Sequence, residues 1–179
     1  HGNINAYCQD NPIAWIKWDT ADEELLAFVR ALIRLRREHP VFRRPHFFRG
    51  NPIPGTAVKD IVWLNAEGRE QTDADWHFPE ARVLGFLLGG DAGELFWSTG
   101  GRQELDDAFV VLMSAFHEPV PFALPSDATG APDATGPSDA TDRGWTVVLD
   151  TARADAVGRR FEAGRDYPLE ARSLVVLTR

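Results

Sequence analysis

Among 179 residues the chain has a single cysteine, Cys8, so no internal disulfide can staple it, and a reducing compartment is the expected setting. No apolar run is long enough to span a bilayer and no secretory leader pattern is read, which makes a soluble, cytoplasmic protein the expectation. Basic patches are scarce as well. Against 27 acidic residues stand 19 Lys and Arg, a net charge of -8, and the one basic concentration, residues 34–44, belongs to a helix end and the turn after it. Phosphate recognition needs clustered cations, so neither a nucleic-acid nor a membrane partner is expected.

The spacings that carry catalysis are missing too. His1, His39, His46, His77 and His117 are scattered without metal-ligand spacing, and Cys8 has no neighbouring cysteine, so no metal and no other cofactor is expected. Ser98, Ser114 and Ser173 lack a Gly-x-Ser-x-Gly setting, and "LGGDAGE" lacks the strand-turn-helix context of a phosphate loop. Carboxylates are plentiful but no pair is set apart. Asp106 and Asp107 precede a strand, and Asp73 and Asp75 flank a turn, so they read as solvated or turn-capping groups. No catalytic residue is assigned.

What is present is material for a core, since 44% of the residues are hydrophobic, enough for one domain with a piece of another. Residues 22–39 carry Leu25, Leu26, Val29, Leu32 and Ile33 at three- and four-residue spacing, with acids in the first turn and Arg34, Arg36 and Arg37 in the last. This predicts a helix, with Thr20 and Glu23 as its capping box and Pro40 as its stop. No other convincing helix follows. Its apolar stripe must therefore be covered by a sheet or by something outside these residues.

Beyond Pro40, short apolar runs bounded by Gly, Pro and Asp predict antiparallel strands at 61–64, 82–88, 108–115, 120–124, 145–149 and 172–178. The third and fourth read as a hairpin turning at 116–119, and the whole as a β-sandwich. Residues 125–144 repeat Asp-Ala-Thr three times among Gly, Pro and Ser, a low-complexity surface loop too poor in apolar groups to pack.

Two groups of residues suit carbohydrate. Trp63, Trp76 and Trp97 with Phe47, Phe48, Phe86 and Phe116 offer flat rings to the apolar faces of sugars, although alternation places Trp63 and Phe86 in the core. The opening "HGNINAYCQDNP" sets Tyr7 among Asn3, Asn5, Gln9, Asp10 and Asn11, donors and acceptors for hydroxyls or simply for the loop's own turns. A polar loop at position one is expected to follow an ordered element that is missing, which makes the chain a fragment in expectation.

"GNINAYCQDNPIAWIKWD" resembles the "GNNNAYCQDN-x-x-SW-x-x-W" stretch of bacterial glycogen debranching enzymes, the isoamylase-type branch of the alpha-amylase superfamily. "FVRALIRLRREHPVFRRPHFFRG", "DIVWLNAEGREQTDADW" and the final "YPLEARSLVVL" are similar to further motifs of that family in the same order. The resemblance implies that residues 1–40 are the end of a catalytic (β/α)8 barrel, a substrate-side loop and the last helix, and that 41–179 are a C-terminal antiparallel β-sandwich. It implies a parent that hydrolyses α-1,6 branch linkages in glycogen with retention, through an Asp nucleophile, a Glu acid and a second Asp. None of the three motifs carrying those carboxylates occurs here, so this chain alone is expected to be inactive. Asn3, Asn5, Tyr7 and Asp10 match the motif and become the expected substrate-side residues, while Ile4 and Pro12 depart from it. The expected partners are an α-glucan and the missing barrel. A stand-alone α-glucan-binding or purely structural sandwich is the rival reading.

Overall fold

A computed structural model of the chain describes residues 10–12, 14–15, 17–44, 47–52, 59–90, 106–126 and 144–179. The strongest helical pattern becomes α1, Glu23–Glu38. Its cap is Asp22, whose Oδ1 accepts from Leu25 N at 2.9 Å, and not the expected Thr20. Thr20 instead closes a 3-10 turn over Trp18–Thr20 and gives its hydroxyl to Lys17 O. Asp22 is the residue with extended backbone immediately before the helix, the geometry that lets a side-chain oxygen reach the third residue's N–H. Pro40 ends α1 as expected and opens a second 3-10 turn, Pro40–Arg43.

The strands are β1 Val62–Leu64, β2 Val83–Leu88, β3 Phe109–Ser114, β4 Val120–Ala123, β5 Gly144–Asp150, β6 Arg160–Glu162, β7 Asp166–Leu169 and β8 Leu174–Thr178. They form a six-stranded antiparallel sheet in the order β1-β2-β3-β8-β5-β6 and a two-stranded sheet of β4 and β7. The expected hairpin between β3 and β4 is therefore not formed. Both edges of β3 are taken, by β2 and by β8, so the chain leaves the large sheet after Ser114 and crosses to the small one. A short helix over Asp73–Trp76, α2, was also not anticipated; Thr72 and Asp75 cap it reciprocally. The Thr72 backbone and side-chain donors hold the Asp75 carboxyl below its ordinary range.

Period-two alternation gives the large sheet two apolar faces. One face, with Val62, Leu64, Leu87, Val110, Leu112, Trp145, Val147, Val175 and Leu177, meets Phe122, Leu124, Tyr167 and Leu169 of the small sheet. This is the sandwich core, and its fully buried rings contribute roughly 1.5–3 kcal/mol each by area. The indole N–H of Trp145 is satisfied by Pro125 O at 2.9 Å. The opposite face, with Ile61, Leu88, Phe109, Val111, Leu149 and Val176, is covered by Val41, Phe42 and Leu35 from the end of α1 and the turn after it. Sequence alternation missed β6 and β7 because β6 has three residues and β7 contains Pro168. Pro168 sits opposite Pro121 in β4, and both point outward from a sheet of two strands. In a two-stranded sheet each strand has an open edge, so the missing N–H breaks no ladder.

Gly85 in β2 makes the two layers fit. A Cβ there would come within 2.7 Å of Phe122 Cζ, and Phe122 is fully buried. Gly85→Ala is expected to lower stability by about 1–3 kcal/mol in urea unfolding. In a Phe122→Leu background the added cost of Gly85→Ala should shrink, because the two changes share one contact.

Candidate functional site

The expected substrate loop is described only at its end. Asn3, Asn5 and Tyr7 lie outside the described residues, as does Trp97. Asp10 is described and exposed, and its Oδ1 accepts from Trp15 Nε1 at 2.5 Å. Backbone bonds from Ala14 N and Trp15 N to Asn11 O close the turn between them. Trp15 and Trp18 are 56% and 75% exposed. One stretch thus offers an exposed carboxylate together with two exposed indoles, a combination suited to a sugar ring.

The other aromatics divide by depth. Trp63 and Phe86 face each other in register across β1 and β2, rings 5.5 Å apart, and both pack on the second core. Trp76 meets Trp63 edge-on at 5.9 Å and is half exposed. Phe47 is 95% exposed, while Phe48 lies under the Arg44 guanidinium at 4.4 Å. Phe47, Phe48, Phe86, Arg36 and Arg44 line an open groove of about 340 Å³ beside Val41 and Leu88. Burial lowers the Arg44 pKa more than the nearby Asp60 raises it. Phe116 packs against His117 and joins none of these rings.

Two carboxylates that sequence reasoning left in solvent or did not consider hold this face together. Asp106 is almost fully buried; its Oδ1 lies 2.7 Å from His39 Nδ1 and accepts from Asp107 N, and its Oδ2 accepts from Val41 N at 2.9 Å. Asp106 is therefore neither solvated nor catalytic in arrangement: it clasps the end of α1 to the start of β3, with the His39 ring edge-on to Phe109. Tight approach of Gly90 completes the clasp, since a Cβ there would meet Asp106 O at 1.8 Å. Asp60, which lies between the two halves of that clasp in sequence, does similar work, accepting from Arg49 N and Gly50 N, both at 2.8 Å. Ligand atoms of His39, Asp106 and Asp107 lie within 4.8 Å of one another, but both Asp106 oxygens already accept from protein groups. Neither tie was readable, because the bonds reach back across 10–11 residues for Asp60 and 65–67 for Asp106.

At the far end of the sandwich the Tyr167 hydroxyl donates to Asp150 Oδ2 at 2.6 Å, while Asp150 Oδ1 accepts from Ala152 N and Arg153 N. The Arg153 guanidinium lies over the Tyr167 ring and near Glu170. Burial, then the bond to Asp150, raises the Tyr167 pKa to about 12. Tyr167 and Asp150 are both buried, and their bond is a structural tie.

No family model matches the chain. Over 99% of its length it is 37% identical to proteins named glycogen operon protein GlgX homolog from Mycobacterium bovis and Mycobacterium tuberculosis. It is also 48% identical over 75 residues to a glycogen debranching enzyme from Dickeya chrysanthemi and 43% identical over 107 residues to one from Cronobacter sakazakii. The chain spans 23% of the length of the mycobacterial relatives, 11% of the first of the two enzymes and 15% of the second. It is homologous to one segment of these longer proteins.

Asp106→Ala is expected to cost about 2–3 kcal/mol and to accelerate amide exchange at residues 39–42 before the β3 core opens. Absorbance titration should place the Tyr167 phenol near 12, with Asp150→Asn lowering it. An unfolded phenol ionises near 10, so this contribution is intact below pH 10 and is lost as the pH rises toward 12.

Proposed function

Taking the homology to a segment of glycogen debranching enzymes as its premise, we propose that the chain is the C-terminal part of such an enzyme, one that hydrolyses α-1,6 branch linkages in glycogen. Residues 1–40 would complete the substrate side of a (β/α)8 barrel and 41–179 form the sandwich beside it. The observation that carries this reading is the match along 99% of the chain to proteins of which it spans only 23%. The open stripe of α1 agrees with it, because a last barrel helix cut away from its barrel is left with an uncovered apolar face.

In this division of labour the chain supplies no catalytic carboxylate. It holds and orients. Asn3, Asn5, Tyr7 and Asp10 are the residues assigned to sugar hydroxyls, with Asp10 held in place by the Trp15 indole. The clasp of Asp106 on His39 and Val41 ties α1 to the sandwich, so that the sandwich would fix where the substrate loop sits relative to the barrel. Retaining hydrolysis through a covalent glycosyl intermediate belongs to the rest of the enzyme. No helix among the described residues is long and apolar enough to cross a membrane, and the assigned setting is the cytoplasm, where glycogen is the substrate.

The test is release of linear glucans from glycogen. The chain alone is expected to release none, and a longer polypeptide containing it is expected to release branch chains. Hydrolysis by the purified chain would overturn the division of labour, and inactivity of the longer polypeptide would overturn the assignment. In that longer polypeptide Asp10→Ala should raise KM about tenfold, the loss of roughly one charge-assisted hydrogen bond, with a smaller change in kcat.

A further inference from the structure

The stretch that leads from Asp10 into α1 is shaped by bonds it makes with itself. Ala14 N and Trp15 N donate to Asn11 O at 2.9 and 3.2 Å, which closes a turn over residues 11–15. Thr20 N then donates to Lys17 O and Ala21 N to Trp18 O, and Asp22 caps the helix through Leu25 N. The first of these turns brings the Trp15 indole back to Asp10, five residues earlier, where Nε1 donates to Oδ1 at 2.5 Å. Each of these donors and acceptors lies within residues 10–25, so the arrangement is local and borrows no surface from elsewhere.

An Asp side chain in a polar loop otherwise turns among its staggered rotamers, and a ligand that uses the carboxylate must first arrest it. The indole N–H can only donate, and its bond to a carboxylate is charge-assisted. The Trp15 bond therefore orders Asp10 before any hydroxyl arrives. It also sets Asp10 relative to α1, because the run of turns leads from Trp15 to the helix cap. At its other end α1 is held to the sandwich by Asp106.

We propose that Trp15 is a positioning residue for substrate binding: its indole N–H holds the Asp10 carboxylate in place for a glucosyl hydroxyl, and its contribution to affinity runs through Asp10. The proposal rests on the reading of Asp10 as a substrate-side residue of a debranching enzyme. A carboxylate ordered in advance serves the bound substrate and the transition state alike. Its effect therefore falls on KM and leaves kcat unchanged.

Two measurements test it. In the 179-residue chain the Trp15 indole N–H resonance, identified by its loss in Trp15→Phe, is expected to move upfield in Asp10→Ala as the bond to the carboxylate is lost. A resonance that stays in place would overturn the proposal. In the longer polypeptide Trp15→Phe keeps a flat ring and removes the donor; Trp15 belongs to neither core, so the fold is expected to stand. KM for glycogen should rise about threefold, the cost of arresting one side chain on binding, with kcat unchanged. In an Asp10→Ala background the same substitution should change KM no further. A merely structural role would act alike in both backgrounds, so an equal rise with and without the Asp10 carboxylate, or no rise in either, would overturn the proposal. If Asp10→Ala itself leaves KM unchanged, the substrate-side reading fails and the proposal with it, even where the indole resonance has moved as expected.

Discussion

The placement of β8 between β3 and β5 is the constraint on which the rest of the structure depends. Val175 and Leu177 face the small sheet while Leu174 and Val176 face the side of α1, so this one strand contributes to both cores. Its register with β3, Phe109↔Thr178 through Met113↔Leu174, fixes which β3 residues point to which core. A slip of one residue would exchange the two faces. On the other side β5 absorbs an irregularity between Val147 and Leu149 to keep its own alternation in step.

Around this hydrophobic frame, three buried aspartates manage the backbone where regular pairing stops. Asp60, Asp106 and Asp150 each accept from two main-chain N–H groups of the adjoining loop. Asp60 also accepts from the Arg44 guanidinium through its own main-chain carbonyl, while the carboxylates of Asp106 and Asp150 meet the His39 ring and the Tyr167 hydroxyl. A carboxylate is well suited to this because it accepts several N–H groups at once. These ties are why the irregular stretch after α1 has a defined seat on the sheet and why α1 leaves it at a fixed point.

How much of this was legible in the sequence depended on the range of the governing interaction. α1 was readable because its stripe, acidic start and basic end are local, and its cap was misplaced by two residues because Thr20 and Asp22 compete for the same role. Six strands were readable from alternation, whereas β6 and β7 were not, being three residues long and proline-bearing. The pairing of β3 with β8 in place of β4 is a choice among partners far apart in sequence, and alternation does not rank such partners. The Asp106 clasp was hidden for the same reason: its carboxylate meets His39 across 67 residues. At the candidate site, chemistry was legible as residue types near Asp10, and the Trp15 indole that engages its carboxylate was not.

The central position of β8 also sets an order of events in time. As the polypeptide is made, β3 waits for a neighbour that begins some 60 residues later, and Thr178 must find Ala108 across 70 residues. Until then β3 and β5 present unpaired edges, and neither core can close. Everything before β8 is thus exposed to chaperones and to neighbouring nascent chains for the whole of that interval. The sandwich becomes cooperative in a single late step rather than strand by strand.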